Sequence, residues 1–347
     1  MNLRSIYFAV PGDINTLTGG YGYDRRLLQE LRQLALNVQM HSLHASFPFA
    51  TPDALATAAS WLASLPDGSV VMIDGLAFGV MDSILAPHAS RLKLVALCHH
   101  PLALENGLNE AQQRKFQVSE QKALAFASAI IVTSDRTGKT LCERFAVPAN
   151  RITVAMPGTE QQGFAPANQQ PPVLLTVATL TQRKAHHVLI AALSRLAHLP
   201  WQARFIGGDH FDPAWALQLH TQVEAAKLGA RITFVGEKSQ LHEDYMAASL
   251  FVLPSLYEGY GMVFAEALSY GLPIIAARAG AVPELVPPSA GVLVEPGSVD
   301  ALASALERVL TSRELHAQLQ QGARAAAPTL PRWQDTATTV KAVLLDS

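Results

Sequence analysis

Short runs of apolar, β-branched residues alternate along this chain with longer segments in which apolar positions recur near i, i+3, i+4 and i+7. "SIYFAV" (5–10), "VVMID" (70–74), "LKLVALC" (92–98) and "AIIVTS" (129–134) are continuous apolar runs, the pattern of parallel strands buried on both faces. Between them, 23–36, 52–65 and 110–127 carry the helical period. This alternation predicts βαβ units and a doubly wound sheet. The stretch "MPGTEQQGFAPANQQPP" (156–172) breaks the rhythm with Pro, Gly, Gln and Asn, and predicts a linker centred on 161–172. The pattern then restarts, with strands expected at 173–179, 202–208, 231–237, 249–255, 272–277 and 290–296. Helices are expected near 185–197, 213–228, 240–248, 262–270 and 298–311. A final helical segment, 331–347, begins at Trp333 after Pro331 and is placed to cross back onto the first half. The predicted organisation is therefore α/β, with one Rossmann-like domain over 1–160 and a second over 173–330. Two such halves would face each other across a cleft, with ligands beyond the carboxyl ends of the strands.

Composition narrows this picture. A length of 347 residues fits two cores better than one. Apolar residues make up 49% and charged residues 16%, which excludes a disordered chain, and a net charge of −2 offers no footprint for nucleic acid. The longest apolar run, "SVVMIDGLAFGVM" (69–81), is interrupted by Asp74 and Gly75 and is too short to span a bilayer. The N-terminus lacks a signal-peptide h-region, so a cytoplasmic protein is expected. Cys98 and Cys142 have no CxxC spacing, so reduced thiols are expected. No D-x-D pair or Cys/His cluster marks a metal site, and none is expected.

The densest chemistry lies in "PSLYEGYGMVFAEALSYGLPII" (254–275). Gly259 and Gly261 allow a backbone to approach a ligand closely, and the apolar helix that follows would expose free N–H groups at its first turn. Those groups and the helix dipole favour an anion such as a diphosphate. Glu266, about one turn inside, would lean back toward that end and could accept from both hydroxyls of a ribose. Glu258, on the loop, could face a second hydroxylated group. The competing reading leaves Glu258 a solvated loop acid and Glu266 a helix-surface acid.

Residues 173–300 resemble the retaining family 4 glycosyltransferases of the GT-B fold. The resemblance rests on the E-x7-E pair Glu258–Glu266 followed by "SYGLPII", with "FVLPS" upstream and "AGAVPELV" and "GVLVEPGSVDALASAL" downstream. It extends more loosely over the N-terminal half. It implies that Glu266 binds the nucleotide ribose and Glu258 the donor sugar, with backbone amides of Tyr260, Gly261, Met262 and Val263 touching sugar and phosphate.

Other segments take their expected roles from the same resemblance. In "TVATLTQRKAHHVLIAAL" (176–193), Lys184 would bind the diphosphate, beside Arg183. Many members carry an Arg where this chain has Thr179, after Ala178, and Arg183 is the residue placed to supply that charge. His186 and His187 are expected on the helix surface. The glycines of "TLTGGYGYDRRLLQEL" (16–31) are not spaced as G-x-G-x-x-G, which disfavours a dinucleotide. The resemblance instead implies a loop in which Gly19 and Gly20 close over the donor phosphate, with Tyr21 and Tyr23 on the acceptor side. In "LKLVALCHHPLALENGL" (92–108), His99 matches the histidine that touches the donor sugar, and His100 stands where an Asp is common. Glu105 is either an acceptor-side acid or a solvated one, and Asp74 ends a strand where an acceptor could be touched. The turn at Val235, Gly236 and Glu237 is placed to hold the nucleobase through its backbone.

The expectation is thus a metal-independent, retaining transfer of a sugar from a nucleotide-diphosphate donor, UDP- or GDP-linked, to a hydroxyl. The acceptor would be a glycan, a small molecule or a lipid-linked group, the last bringing the protein to a membrane surface. No further cofactor is expected. Two alternatives share the architecture: a sugar-nucleotide epimerase, and a nucleotide-sugar-binding protein without turnover.

Overall fold

The strand–helix alternation is realised twice. The computed structural model describes residues 5–105 and 107–346. It divides into two units, one formed by 1–158 together with 331–347 and the other by 159–330. The first unit contains β1 (Ile6–Pro11), β2 (Val38–Leu43), β3 (Val70–Asp74), β4 (Lys93–Cys98), β5 (Ala129–Val132) and β6 (Ile152–Val154). Its helices are α1 (Gly19–Gln33), α2 (Pro52–Ser64), α3 (Gly75–Phe78), α4 (Asp82–Leu85), α5 (Glu110–Ala125) and α6 (Asp135–Phe145). The second unit contains β7 (Val173–Val177), β8 (Gln202–Ile206), β9 (Ile232–Gly236), β10 (Leu250–Leu253), β11 (Ile274–Ala277) and β12 (Gly291–Val294). With them run α7 (His186–Arg195), α8 (Pro213–Ala225), α9 (His242–Ala247), α10 (Met262–Ser269), α11 (Val282–Leu285), α12 (Val299–Thr311) and α13 (Arg313–Ala326). The last helix, α14 (Trp333–Leu345), belongs to the first unit.

Both sheets are six-stranded and parallel, in the orders β2-β1-β3-β4-β5-β6 and β12-β11-β10-β7-β8-β9. Each order reverses direction once, between β1 and β3 in the first sheet and between β7 and β10 in the second. The crevice beyond the strand ends at such a switch is where open α/β sheets bind ligands.

The apolar runs explain the sheets. In β10, Leu250 and Val252 face one buried layer and Phe251 and Leu253 the other, so every residue is covered. Two strands were not apparent from the apolar pattern. β2 reads VQMHSL, with only its terminal residues buried, and β6 is a three-residue edge strand, so neither forms an apolar run. Helix α13 also escapes the pattern because only Leu319 and Ala323 of its residues are buried.

Two local differences matter, and the last helix is placed as expected. Helix α1 starts at Gly19 rather than near 23, because the Thr18 hydroxyl accepts from Tyr21 N and caps it. Residues 159–172 lie along the second unit, tied by Ala165 N to Tyr270 O (2.8 Å) and by Gln161 Nε2 to Ala327 O (2.7 Å). These are bonds to backbone carbonyls, so they leave no apolar period. Helix α14 is fastened by Thr336 Oγ1 to Met156 O (2.6 Å) and by Lys93 Nζ to Val343 O (2.7 Å). Cys98 and Cys142 are both free thiols. Among the described residues, no helix is long and apolar enough to cross a membrane.

Candidate functional site

In the second unit, the loops after β7 and β10 meet at the sheet's switch point. Lys184 Nζ donates to Glu258 Oε1 at 2.7 Å, while Arg183 NH1 donates to Tyr257 O at 3.0 Å and reaches Glu258 Oε2 at 3.4 Å. Leu256 N donates to Arg183 O at 2.8 Å, so the two loops are also bonded through backbone. Burial alone would raise the Glu258 pKa, but the charges of Lys184 and Arg183 outweigh it and hold the carboxyl below its ordinary range. Glu258 is only 5% exposed, which corrects the picture of a solvated loop acid. Its backbone is fixed from behind by Gly280: a Cβ there would lie 2.0 Å from Glu258 O, and its φ of +57° suits glycine.

Gly261, at φ +91°, caps α10 with no side-chain hydrogen bond, so the first-turn amides of Met262 and Val263 are left for another partner. Tyr260 is buried, and its hydroxyl has no hydrogen-bond partner among the described residues. Glu266 lies one turn inside α10, half-buried, and its Oε2 accepts from the Tyr245 hydroxyl at 2.8 Å. Burial raises its pKa, and the Tyr245 bond opposes that rise. Tyr245 stacks on Tyr270 with ring centroids 4.8 Å apart, and the Tyr270 hydroxyl meets His242 Nδ1 at 3.0 Å. Tyr245 was not singled out from the sequence, where one tyrosine in a short helix carries no signal.

The turn ending β9 places Val235 half-buried and Gly236 and Glu237 exposed, with Gly236 O accepting from Gly207 N at 2.9 Å. Beside it, Asp244 is buried between Arg204 (2.8 Å) and Lys238. His186 departs from expectation. It is fully buried, edge-on to Phe205, and burial followed by the charge of Lys184 lowers its pKa to about 3, so it is a neutral core residue.

In the first unit, the switch point gathers residues from α1, β3 and β4. His99 Nε2 lies 3.0 Å from Asp24 Oδ1 and 3.3 Å from Asp74 Oδ2. Asp24 is fully buried, and its Oδ2 has no hydrogen-bond partner. Asp74 caps α3 by accepting from Leu76 N at 2.9 Å; at 1% exposure it cannot touch an acceptor, which corrects that expectation. Among the described residues these three form the one carboxylate–imidazole group with ligand atoms within 4.8 Å of one another. The ring nitrogen is taken up by the two acids, so the group is an ion-paired set.

The other expected residues of this unit fall into different places. Gly19 and Gly20 are the first residues of α1 rather than a loop. Gly19 has open space around its Cβ position, whereas a Cβ on Gly20 would lie 3.4 Å from the His99 ring. Tyr21 turns back, donating its hydroxyl to Pro11 O at 2.8 Å, and its pKa is pushed up to about 12 by burial and then by Asp74, Asp24 and Asp13. Tyr23 is wholly buried, donates to Ala155 O at 3.0 Å and packs against Trp333, so it is a core residue and not an acceptor contact. His100 and Glu105 pair with each other at 2.7 Å, so Glu105 is not simply solvated.

Comparisons with known proteins agree with this geometry. Residues 159–326 match the family model described as Glycosyl transferases group 1. The MMP alpha-(1->4)-mannosyltransferase of Mycolicibacterium hassiacum is 29% identical over 280 residues, which cover 72% of this chain and 64% of that protein. The alignments to curated relatives take in between 41% and 67% of those proteins' own lengths. Among solved structures, sucrose-phosphate synthase from Thermosynechococcus elongatus superposes with a TM-score of 0.81 at 22% identity, covering 97% of this chain and 98% of that one. Anabaena HepE in complex with UDP-glucose gives 0.77 at 20% identity, with 98% and 99% covered. These neighbours establish the GT-B fold for the two Rossmann-like units. Over residues 159–326 the chain is thus similar to the glycosyl transferases group 1 family.

Proposed function

We propose that this protein is a retaining glycosyltransferase that moves a sugar from a nucleotide-diphosphate sugar to a hydroxyl. One observation carries the reading. At the switch point of the second unit, two cations, a buried carboxylate and an uncapped helix start converge within one pair of loops, with a second carboxylate one helical turn away. A nucleoside diphosphate needs those groups: cations and amides for the phosphates, and an acid for the paired ribose hydroxyls.

In this mechanism the first-turn amides of α10 and Lys184 receive the negative charge that develops on the departing diphosphate. Arg183 stands in for the strand-end arginine that Thr179 lacks. Glu266 holds the ribose, with its second oxygen fixed by Tyr245. Glu258 orients the sugar and stabilises its oxocarbenium character. The sugar–phosphate C–O bond breaks, the acceptor oxygen bonds the same face of the carbon, and a phosphate oxygen of the leaving group takes the hydroxyl proton. The protein's own cations carry the charge in this scheme, so it runs without a metal. The turn at Val235–Glu237 would read the base through backbone. HepE was solved with UDP-glucose, which makes uridine nucleotides the first donors to try.

A thermal-shift panel of UDP-, GDP-, ADP- and TDP-sugars, with Glu266→Ala beside the wild type, tests the reading. Selective stabilisation by one nucleotide, lost in the variant, supports it. A folded protein that responds to none of them sinks the donor site. Stabilisation without sugar transfer to any acceptor in a glycan, glycolipid and small-alcohol screen would favour a binding protein without turnover.

A further inference from the structure

The Asp24–His99–Asp74 set contains a buried acid that the proposed reaction does not use. Asp24 projects from the second turn of α1, with no exposed surface, toward a histidine that follows β4. A carboxylate buried with one oxygen unpartnered is costly unless its other oxygen makes a strong charged bond. Both acids converge on the same ring atom, Nε2. With both acids ionised, a neutral imidazole cannot satisfy that geometry. With Nε2 bare, three sets of lone pairs would confront one another; with Nε2 protonated and the ring neutral, one hydrogen would be shared between two anions. A second proton, on Nδ1, makes the ring a cation between them. His99 Nδ1 makes no hydrogen bond among the described residues, so that N–H is left to donate outward.

We propose that Asp24 is a positioning residue that, together with Asp74, keeps His99 an imidazolium with a fixed orientation, presenting Nδ1–H as a charged donor to oxygens of the substrate. The proposal rests on the glycosyl-transfer reading only for what that charge acts upon.

Among the described residues, the charges that act on His99 are those of Asp24 and Asp74. Asp24 faces the ring from α1 and Asp74 from the end of β3, and the Tyr23 ring meets it edge-on at 5.2 Å. Tyr21 and Asp13, on the β1 side, belong to the same electrostatic neighbourhood. Cys98, beneath the histidine, is buried and has its pKa raised by burial, then by Glu120 and Asp74. The neighbouring His100 is paired to Glu105. Burial alone would lower the His99 pKa, but the charge and hydrogen bond of Asp24, followed by those of Asp74, raise it to about 10. Asp24 is itself raised to about 7 by burial, against the pull of His99 and with the charge and hydrogen bond of Asp74 adding to the rise.

The test is a pH titration of the full-length protein labelled with 15N-histidine, with the His99 signals identified by their loss in His99→Gln. The wild type should show the imidazolium signature at both ring nitrogens from pH 5.5 to 9. Asp24→Asn should lower the His99 midpoint into that range, at least a tenfold loss of proton affinity. A wild-type midpoint near the ordinary value for histidine overturns the proposal, as does an Asp24→Asn variant that leaves the midpoint in place. Should Asp24→Asn not fold, the wild-type titration and Asp24→Glu, which keeps the charge and should keep the imidazolium, still decide. UDP-glucose cleavage provides a second arm. Its rate should gain a fall with rising pH in Asp24→Asn that follows the His99 midpoint and is absent from the wild type; a purely structural defect would lower the rate equally at every pH. If UDP-glucose is not cleaved at all, UDP-glucose is excluded as the donor, while the titration still judges Asp24.

Discussion

Lys184 Nζ donates to Glu258 Oε1 at 2.7 Å, so the cation expected to hold the diphosphate and the acid expected to hold the sugar hold each other. A bound donor would divide the pair, with Lys184 turning to phosphate and Glu258 to sugar hydroxyls. In the absence of donor, the pair keeps both side chains in place and lowers the cost of burying Glu258.

That exchange predicts opposite effects on binding and turnover. Glu258→Gln releases Lys184, so UDP should bind about fivefold tighter, roughly 1 kcal/mol, by calorimetry. Sugar transfer should fall by about 100-fold or more in the same variant. Lys184→Ala should weaken both. Weaker UDP binding in Glu258→Gln would show that the pair is structural only.

The ribose role of Glu266 carries a pH signature. Burial raises its folded pKa, and the ionised form is the one that accepts from two hydroxyls. UDP affinity should therefore be full above that raised value and fall as pH drops through it. Tyr245→Phe removes the bond that opposes the rise, so the fall should begin at higher pH, with about a fivefold loss near neutrality. Isothermal titration at pH 5.5 to 8 reads this. 2′,3′-Dideoxy-UDP should be nearly indifferent to Glu266→Ala, and an equal loss for both nucleotides would place Glu266 elsewhere.

Gly280 supports Glu258 through backbone alone. A Cβ there would meet Glu258 O at 2.0 Å and Glu258 N at 2.8 Å, neither of which can swing away. Gly280→Ala should cost about 3 kcal/mol, lowering the melting temperature by about 6 °C or more, with loss of transfer activity. A melting temperature within a degree of wild type would contradict the close approach.

Glu120 should make stability depend on pH. It is 2% exposed and its Oε2 accepts from Leu102 N at 2.9 Å; burial pushes its pKa up to about 8 against that bond and the one from Ala103 N. Because the folded value lies above the unfolded one, its stabilising contribution is complete below the ordinary carboxylate pKa and is lost as pH rises through about 8. Melting temperature should fall from pH 6 to 9 in the wild type and fall less in Glu120→Gln. Equal slopes would show that another group sets the dependence.

Much of the fold was legible because buried parallel strands must be apolar on both faces, and "SLFVLPS" and "LKLVALC" could hardly be anything else. The edge strands β2 and β6 were not, since a half-covered strand has no such requirement. The donor loop was readable for a related reason: glycines followed by an apolar helix and flanked by two acids are a local arrangement. The role of Tyr23 was misread because the helix starts at Gly19, which turns Tyr23 inward against Trp333.

By itself, then, the sequence determined two doubly wound units and the segments proposed to carry phosphate and ribose chemistry, because periodicity, glycine and charge act over a few residues. Only the tertiary structure decided which charges neutralise one another. The partners of Glu258 lie 74 and 75 positions away along the chain, and Asp24 lies 75 positions from His99. No local pattern encodes such pairings. They arise where each sheet reverses its winding and brings loops from distant strands to one edge, and there burial makes each unpaired charge expensive enough to require its partner.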